Sequence, residues 1–363
     1  MCAKIAVAMS GGVDSSAAAW LLKEAGHDLM GITMKLFDNG DLGIEGESSC
    51  CSLDDVEDAR AVARQLGFPH YVFNFSCQFH AQVMDRFALA YERGETPNPC
   101  IDCNRYLKFG SLLQRCRELD RDKVATGHYV RLDQDPASGR WLLRKAAHPE
   151  KDQSYVLYNL TQDQLSHSLF PLGGLSKEEI RAIAAQQGLI NARKRESQDI
   201  CFVPDGDYAA FLRRYTGRYY PPGPFVDEAG NRLGTHDGIV DYTVGQRRGL
   251  GVSSNHGRLY VKEVRPPENT VVLSGNESLF SRVLHASDFN WIPFDRLTAP
   301  MRLRAKVRYR MAEQPCTVEQ TGPDTVRVTF DQPQRAITPG QAVVLYDGDL
   351  VMGGGTIQKG ECL

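Results

Sequence analysis

The stretch Ser10-Gly11-Gly12-Val13-Asp14-Ser15-Ser16 follows a short apolar run, Ile5–Met9, and leads into a helical pattern over Ser15–Gly26. A strand, a glycine-rich turn and a helix N-terminus in this order form an anion site. Glycine lets backbone N–H groups approach a phosphate, and the helix dipole adds positive potential. A glycine turn whose Asp and Ser only cap the helix is the structural alternative. The position after the first strand, with all seven residues present, favours a phosphate-binding loop.

This loop matches neither of two common nucleotide-binding patterns. It lacks the Gly-Lys-[Ser/Thr] ending of a Walker A loop and the Gly-x-Gly-x-x-Gly of a dinucleotide fingerprint. Without the Walker lysine, cleavage at the γ-phosphate of ATP is less natural than release of pyrophosphate. We therefore predict that the hydroxyls of Ser10, Ser15 and Ser16 and the glycine N–H groups hold the leaving pyrophosphate of ATP. We also predict that Asp14 positions Mg²⁺ on it.

Strand-like and helix-like patterns alternate along the first half of the chain, with predicted helices over Leu53–Gly67 and Asn104–Glu118. This alternation predicts an α/β fold with a parallel sheet that helices cover on both faces. Beyond about Asp205 helical periodicity is scarce, and short alternating stretches with Gly and Pro indicate small β-rich domains. The predicted domains are a nucleotide-binding catalytic domain (1–204), a central β-rich domain (205–277) and a C-terminal β-barrel (278–363).

The composition is ordinary for a globular protein, with 42% hydrophobic and 24% charged residues. No apolar run is long enough to cross a bilayer, and the apolar N-terminal stretch breaks at once into Gly-Gly-Val-Asp. We therefore expect a cytoplasmic protein without membrane association. With a net charge of −3, nucleic-acid binding depends on local basic patches. Ten cysteines in 363 residues do not indicate a small disulfide-rich secreted scaffold.

Three cysteines stand in positions that suggest chemistry. Cys100 and Cys103 lie with two prolines in Thr96–Asn104, just before a predicted helix. A helix N-terminus lowers the pKa of a nearby thiol and favours the reactive thiolate. Cys201 lies far along the chain, between the α/β part and the β-rich part, where active sites tend to form. Buried inert thiols are the alternative, and Cys50-Cys51 are expected to be an inert loop pair.

The most basic feature is Met301–Arg310, in which odd positions are apolar or aromatic and even positions are all Arg or Lys. As a strand, it would bury one face in a core and present five cations on the other. Edge strands also carry cations, because these oppose aggregation. Since a solvated face usually mixes both signs, we favour phosphate binding.

The segments Ser10–Ser16, Thr96–Asn104, Glu196–Phe202, Gly245–Gly251 and Thr338–Gln341 together resemble the bacterial tRNA-specific 2-thiouridylase family of the PP-loop ATP pyrophosphatase superfamily. The resemblance covers essentially the whole chain. It implies an adenine-nucleotide-hydrolase-like N-terminal domain, a C-terminal barrel that binds tRNA, and the activity of a tRNA-uridine 2-sulfurtransferase. In that family ATP adenylates O2 of the wobble uridine, and sulfur then displaces AMP. By position, Cys201 would accept sulfur as a persulfide, and Cys103 would be the nucleophile that helps to release it through a transient disulfide with Cys201.

The resemblance also implies binding residues and a partner protein. Its nucleotide contacts are Met34 and Gly127, besides the loop itself. Its tRNA contacts are Asn98, Pro99 and Cys100 around the target base, together with His128, Lys151, Asp152, Gln153, Arg308, Tyr309 and Gln341. His128 is equally explained as a structural residue, and we assign it no base catalysis. We expect a persulfide-donating sulfur carrier protein as partner, and a monomer as the default state.

One residue departs from the family pattern. Many members have Asp where this chain has Cys100, so the loop reads Cys-x-x-Cys, with Cys201 as a third thiol. Three thiolates that leave one iron open would hold a [4Fe-4S] cluster, and zinc is the rival metal. We favour the persulfide.

An adenylating ligase and a non-catalytic RNA-binding protein are the competing functions. The first needs no cysteine pair, and the second needs no intact Ser10–Ser16 loop.

Overall fold

The computed structural model describes residues 2–37, 53–194, 200–252 and 257–360. Cys50, Cys51 and residues 196–199 of the segment Glu196–Phe202, which the sequence analysis singled out, lie outside these residues. The chain divides into two compact units. Unit 1 comprises residues 1–83, 100–206 and 348–351, and unit 2 comprises residues 84–99, 207–347 and 352–363. No helix among the described residues is long and apolar enough to span a membrane. The domain boundaries near residues 204 and 277 stay predictions.

Helices and strands alternate in the first part of the chain, and strands dominate the second. The α-helices of the described residues are α1 Val13–Glu24, α2 Leu53–Leu66, α3 Ser76–Phe79, α4 Asp85–Glu92, α5 Pro99–Asp102, α6 Leu112–Glu118, α7 Gln162–Ser166, α8 Lys177–Gln186 and α9 Tyr208–Thr216. The first strands are β1 Lys4–Ala8, β2 Asp28–Lys35, β3 His70–Asn74, β4 Lys123–Ala125, β5 Val130–Gln134, β6 Trp141–Lys145 and β7 Ser168–Leu169. The remaining strands are β8 Gly223–Val226, β9 Arg232–His236, β10 Tyr260–Arg265, β11 Thr270–Ser274, β12 Phe280–Trp291, β13 Met301–Lys306, β14 Gln314–Gln320, β15 Val326–Arg335, β16 Ala342–Asp347 and β17 Leu350–Ile357.

A parallel sheet forms the centre of unit 1, with its described strands in the order β3-β2-β1-β4-β7. Ile5 of β1 pairs with Leu29 of β2 on one side and with Lys123 of β4 on the other. The strand order therefore reverses at β1. Ligands of open α/β sheets bind outside the carboxyl ends of the strands at such a switch point. The loop Ser10–Ser16 leaves β1 at this edge.

Apolar side chains fix α1 against the sheet. Val7 of β1, Leu22 of α1 and Val62 of α2 belong to one buried cluster, and each is at most 7% exposed. A second cluster joins Ala17 of α1 to Ile180 of α8. Since burial of apolar surface is the main favourable term in folding, these clusters hold the start of α1 in place after β1. The glycine-rich loop is thereby supported from both of its ends.

The predicted helix over Asn104–Glu118 is a composite in the structure. It begins earlier, at Pro99, continues as a π-helical segment over Cys103–Ser111 and ends as α6. Proline suits a first helical turn, because the N–H that it lacks would have no partner there. A π-helical segment has i→i+5 hydrogen bonds and is frequent at functional sites. Apolar periodicity alone does not distinguish this geometry from an α-helix.

Unit 2 is rich in antiparallel strands. One described sheet has the order β10-β11-β8-β9. Strands β12-β15-β14-β13-β16-β17 form the second, and the pairing of β12 with β17 closes it into a barrel. The predicted fold class, a parallel α/β part followed by β-rich parts with a terminal barrel, is confirmed.

Several short described elements were not predicted from the sequence, among them α9 and the β5–β6 hairpin. Helix α9 begins after Asp207, whose side chain caps Ala210 N, and Phe211 on it lies 6.0 Å from the ring of Phe87. The β5–β6 hairpin follows β4 and pairs Val130 with Lys145. Both elements are too short to show a clear periodic pattern in the sequence. They are stabilised mainly by tertiary contacts.

Candidate nucleotide and thiol site

The loop Ser10–Ser16 turns sharply at Gly11, whose φ of +74° lies in the left-handed region. A Cβ on Gly11 would lie 2.3 Å from the backbone oxygen of Asp55 on α2, so only glycine fits. Gly127 approaches the same loop from the end of β4. A Cβ there would lie 2.9 Å from the backbone carbon of Asp14. The loop and Gly127 are both predicted to contact the nucleotide, and they lie far apart in sequence. The structure brings them together.

The N-terminus of α1 is suited to an anion. Its N-cap residue, Gly12, is extended and offers no side-chain cap to the N–H groups of the first turn. These groups and the positive end of the helix dipole favour a phosphate. Met34 lies half-buried near the carboxyl end of β2, on the same edge of the sheet. The residues present thus fit ATP as substrate.

The hydroxyls of two predicted phosphate ligands, Ser15 and Ser16, form hydrogen bonds within the loop. The hydroxyls of Ser15 and Ser16 donate to the carbonyl oxygen of Gly12, at 3.0 and 3.1 Å. Asn191 Nδ2 donates to Gly11 O at 2.9 Å and to Ser16 Oγ at 2.8 Å. Ser16 is 0% exposed, and its hydroxyl is bonded inside the loop, so its predicted contact with pyrophosphate stays a prediction. The backbone groups and the exposed Ser10 remain as candidates.

Asp14 is held by two side chains from distant parts of unit 1. Lys177 Nζ and Tyr129 Oη each donate to Asp14 Oδ1 at 2.6 Å. The Lys177 side chain is 8% exposed and that of Asp14 29% exposed. The pair therefore sits in a low-dielectric environment, where charge-assisted hydrogen bonds are strong. The role predicted for Asp14 in positioning Mg²⁺ stays a prediction, and its other carboxylate oxygen is the candidate ligand.

The thiol of Cys103 is more inert than the sequence predicted. Cys103 begins the π-helical segment and is buried, whereas Cys100 on α5 is exposed. Burial raises the pKa of the Cys103 thiol, Lys108 lowers it by less, and Asp102 raises it further. The prediction that a helix N-terminus lowers this pKa is therefore wrong for Cys103, because desolvation outweighs the favourable charge.

Cys201 lies half-buried on a turn near the end of unit 1. The next residue, Phe202, is 1% exposed and packs edge-on against Phe79, with ring centroids 5.6 Å apart. Within the described residues, no group of three His, Cys, Asp or Glu side chains is arranged to hold a metal ion. Cys100, Cys103 and Cys201 are therefore not arranged as a three-ligand site in this structure, and the [4Fe-4S] alternative stays a prediction.

Part of the predicted tRNA-binding set lies next to the loop in unit 1. Gln153 Oε1 accepts from Tyr129 N at 2.9 Å, and Gln153 N donates to Tyr129 O at 3.1 Å. Asp152 Oδ1 accepts from Ala146 N at 3.1 Å, and the neighbouring Lys151 is half-buried. The predicted segment Lys151–Gln153 is therefore tightly hydrogen-bonded.

His128 is held close to the same strand. Its Nδ1 lies 2.7 Å from Thr126 Oγ1. Burial lowers its pKa well below the ordinary value, and the charge of Lys108 adds to this effect. The ring is therefore neutral at physiological pH and carries no positive charge, and its predicted contact with tRNA stays a prediction.

Other predicted tRNA contacts lie in unit 2. Gln341 Nε2 donates to Thr96 O at 2.7 Å, and Thr96 N donates to Pro339 O at 2.8 Å. These bonds brace the segment that carries Asn98 and Pro99, of which Pro99 is buried and Asn98 half-buried. The structure thus brings Gln341 to the segment predicted to surround the target base.

The basic stretch differs from its prediction. The strand ends at Lys306, and Arg302 forms a two-pronged ion pair with Asp331, at 2.7 and 2.6 Å. Arg304 donates to Glu313 O at 2.8 Å. The prediction of one continuous strand with an unmixed face of five cations is therefore wrong, because acids on the neighbouring chain segments supply the opposite charge. Beyond the strand, Arg308 donates to Ala336 O at 2.7 Å, and Tyr309 is 40% exposed.

Sequence reasoning missed three side chains of this site, namely Lys177, Tyr129 and Asn191. A weak signal existed for Lys177, because a cation at the first position of a helix opposes the dipole and needs a partner. No local pattern marks Tyr129 or Asn191, since both reach the loop from more than 100 residues away in sequence.

Known protein families match this chain along nearly its whole length. Three family models match: "tRNA methyl transferase HUP domain" over residues 3–205, "tRNA methyl transferase PRC-barrel domain" over 209–275, and "Aminomethyltransferase beta-barrel domain" over 281–357. A protein of Clostridioides difficile (strain 630) named tRNA-specific 2-thiouridylase MnmA is 48% identical over 98% of both chains. The chain belongs to the tRNA-specific 2-thiouridylase family.

Further 2-thiouridylases show the same extent of similarity. The protein of that name from Lachnoclostridium phytofermentans is 50% identical over 98% of this chain and 99% of its own. The one from Heliobacterium modesticaldum is 51% identical over 98% of this chain and 92% of its own. Among solved structures, NMN synthetase from Francisella tularensis overlaps 58% of this chain and 68% of its own, with 15% identity and a TM-score of 0.34. That last similarity is too low to support a functional argument.

Proposed function

We propose that this protein thiolates C2 of the wobble uridine of tRNA, using ATP to activate the base and a cysteine persulfide to deliver sulfur. The observation that carries the proposal is that one compact unit contains both sets of reactive groups. The pyrophosphate loop, Cys103 and Cys201 all belong to unit 1. Similarity to proteins named tRNA-specific 2-thiouridylase along nearly the whole chain supports the choice of tRNA as substrate.

In the first half of the reaction, O2 of uridine attacks the α-phosphorus of ATP, and the bond to the β-phosphate breaks. Charge then accumulates on the departing pyrophosphate. The N–H groups at the start of α1 face this charge, and Lys177 supplies the cation that a Walker lysine would otherwise provide. Mg²⁺ carried by the phosphates would neutralise further charge, with Asp14 as its protein ligand.

In the second half, the terminal sulfur of a Cys201 persulfide attacks C2 of the adenylated uridine, and the bond from C2 to the oxygen of AMP breaks. The Cys103 thiolate then attacks Sγ of Cys201, which breaks the persulfide S–S bond and leaves sulfur on the base. A Cys103–Cys201 disulfide results, and a dithiol reductant returns it to two thiols. Since the described thiols do not form a three-ligand site, we favour the persulfide over a cluster-bound sulfide.

The proposal includes partners and a compartment. We propose that a persulfide-donating carrier protein loads Cys201 and that the enzyme acts as a monomer on one tRNA in the cytoplasm. A reducing compartment suits the exposed thiol of Cys77 and the buried thiols of Cys103, Cys116 and Cys316.

A reconstituted reaction tests the proposal. Purified protein with ATP, Mg²⁺, unmodified tRNA and a persulfide donor is expected to yield 2-thiouridine, AMP and pyrophosphate. Cys201→Ser and Cys103→Ser are each expected to abolish 2-thiouridine while adenylated tRNA still forms. Cys77→Ser, which alters an exposed thiol on α3, is the matched control and is expected to be fully active. ATP conversion to ADP with unchanged nucleosides would contradict the proposed function.

The form of the sulfur has its own test. Anaerobic purification followed by iron analysis and an absorption spectrum is expected to give a colourless, iron-free protein that is active with a persulfide donor. Stoichiometric iron that is required for activity would replace the persulfide with a cluster.

A further inference from the structure

One tyrosine connects the pyrophosphate loop to the segment predicted to contact tRNA. Tyr129 is 2% exposed, and its hydroxyl donates to Asp14 Oδ1 at 2.6 Å. Its backbone is bonded twice to Gln153, once through each of its polar groups. The side chain of Tyr129 thus contacts the pyrophosphate loop, and its main chain contacts Gln153 in the segment predicted to bind tRNA.

We propose that Tyr129 is a positioning residue through which tRNA bound at Lys151–Gln153 orients Asp14 for ATP cleavage. This inference rests on the proposed function. It adds that ATP is not cleaved before tRNA binds, because the Asp14 carboxylate reaches its productive orientation only when tRNA contacts the Gln153 end of this connection. The benefit would be suppression of ATP cleavage in the absence of tRNA.

The connection is stiff enough to transmit a small displacement. Tyr129 belongs to a buried cluster with Ala17 of α1 and Ile180 of α8. Two residues earlier, Gly127 leaves no room between its backbone and that of Asp14. A close-packed interior has low compressibility, so these contacts transmit a small displacement of the backbone. Movement of the Tyr129 backbone is therefore passed on to the loop.

The carboxylate of Asp14 is constrained in a way that makes its orientation matter. Tyr129 and Lys177 both bond the same oxygen, Oδ1. The Lys177 ammonium also lies 6.0 Å from the centroid of the Tyr129 ring. Two donors on one oxygen fix the plane of the carboxylate and direct Oδ2. Loss of one donor leaves the charge pair intact but frees that rotation.

The same turn is also connected to the thiol segment. Asn104, which follows Cys103, donates from Nδ2 to Val156 O at 3.0 Å, and Val156 N donates to Gln153 O at 3.2 Å. Asn104 is 1% exposed. Residues 153–156 therefore have bonded connections toward both reactive centres of unit 1. A signal that tRNA is present can reach the ATP side from this one turn.

The test is Tyr129→Phe, which removes only the hydroxyl. Pyrophosphate release is measured with and without unmodified tRNA, over a range of tRNA concentrations. We expect the tRNA-stimulated kcat to fall about tenfold, as for loss of one hydrogen bond to a charged group. The ratio of release with tRNA to release without tRNA should therefore fall, and KM for tRNA should stay close to wild type. A lower thermal unfolding midpoint is expected from loss of the bond to Asp14, but a loss of stability alone would lower both rates together. Tyr215→Phe is the matched control, because Tyr215 Oη donates to Asp85 Oδ1 at 2.7 Å in unit 2. It should keep full stimulation.

A second variant checks the other end of the connection. Gln153→Ala removes the acceptor of Tyr129 N, and its loss of stimulation should be non-additive with that of Tyr129→Phe in the double variant. Full stimulation in Tyr129→Phe, or equal losses with and without tRNA, would overturn the inference. So would wild-type pyrophosphate release that tRNA does not stimulate, even if 2-thiouridine forms. Failure of wild type to form 2-thiouridine would overturn the proposed function itself.

Discussion

Lys177 Nζ lies 2.6 Å from Oδ1 of Asp14, although 163 positions separate the two residues in sequence. The lysine comes from the first turn of α8, and the aspartate lies in the glycine-rich loop that starts α1. A loop without a lysine of its own thus acquires one from elsewhere in the fold. This places a cation beside the proposed pyrophosphate site.

Replacement of Lys177 should affect both stability and catalysis. Lys177→Met leaves the Asp14 carboxylate without its ammonium partner, which should lower the free energy of unfolding by about 1–3 kcal/mol. Pyrophosphate release should fall much further than ATP affinity, because the charge on the leaving group grows in the transition state. Denaturant unfolding and steady-state kinetics measure the two effects.

Lys262→Met is the matched control for that change. Lys262 pairs with Glu228 in unit 2, where the two side chains are 39% and 43% exposed. Exposed ion pairs contribute about 0–1 kcal/mol, so this variant should unfold and react like wild type. Equal kinetic losses in both lysine variants would contradict the role assigned to Lys177.

A methyl group at Gly11 should abolish nucleotide binding. Gly11→Ala places a Cβ 2.3 Å from Asp55 O and forces the loop away from α2. Gly26→Ala is a control of matched backbone strain, since Gly26 has φ of +80° and a Cβ there would meet no atom within 4 Å. Gly26→Ala should lose about 1–2 kcal/mol of stability and keep ATP binding. Calorimetric titration with ATP distinguishes them, and equal affinity in the two variants would refute the prediction.

Sulfur transfer should accelerate with rising pH. The nucleophile is the thiolate, and burial raises the pKa of Cys103 above its ordinary value, so the thiol form dominates at neutral pH. The thiolate fraction grows about tenfold per pH unit below that pKa. The lowered pKa of His128 keeps its ring neutral throughout this window. Single-turnover formation of 2-thiouridine from preformed adenylated tRNA should therefore rise through about pH 7 to 9. A flat profile would show that Cys103 does not limit this step.

Two arginines, one in β13 and one just beyond it, should differ in tRNA binding. Arg308→Ala should weaken tRNA binding and lower the salt dependence of the affinity by about one phosphate contact. Arg302→Ala should change neither property strongly, because Arg302 is already paired with Asp331. Filter binding at several salt concentrations measures both slopes. Arg308→Lys, which keeps the charge, should retain the wild-type slope, and a greater loss in Arg302→Ala would contradict the assignment.

The sequence alone was sufficient for the glycine-rich turn after β1 and for the fold class. Glycine at positions 11 and 12, after an apolar run and before a helix, restricts the backbone locally, and such restrictions are readable without tertiary contacts. The alternation of strand and helix patterns predicted the parallel sheet, because each pattern is also visible in a short stretch of sequence. The resemblance to 2-thiouridylases, carried by short motifs, identified the family.

Only the tertiary structure decided what surrounds those motifs. Burial determined that the Cys103 thiol has a raised pKa, although its place in a short loop before a helix had predicted the opposite. Pairing across strands determined that Arg302 and Arg304 meet acidic groups or a carbonyl. Folding brought Lys177 and Tyr129 to Asp14. Charge balance and desolvation depend on neighbours in space, and a linear sequence specifies those neighbours only through the complete fold.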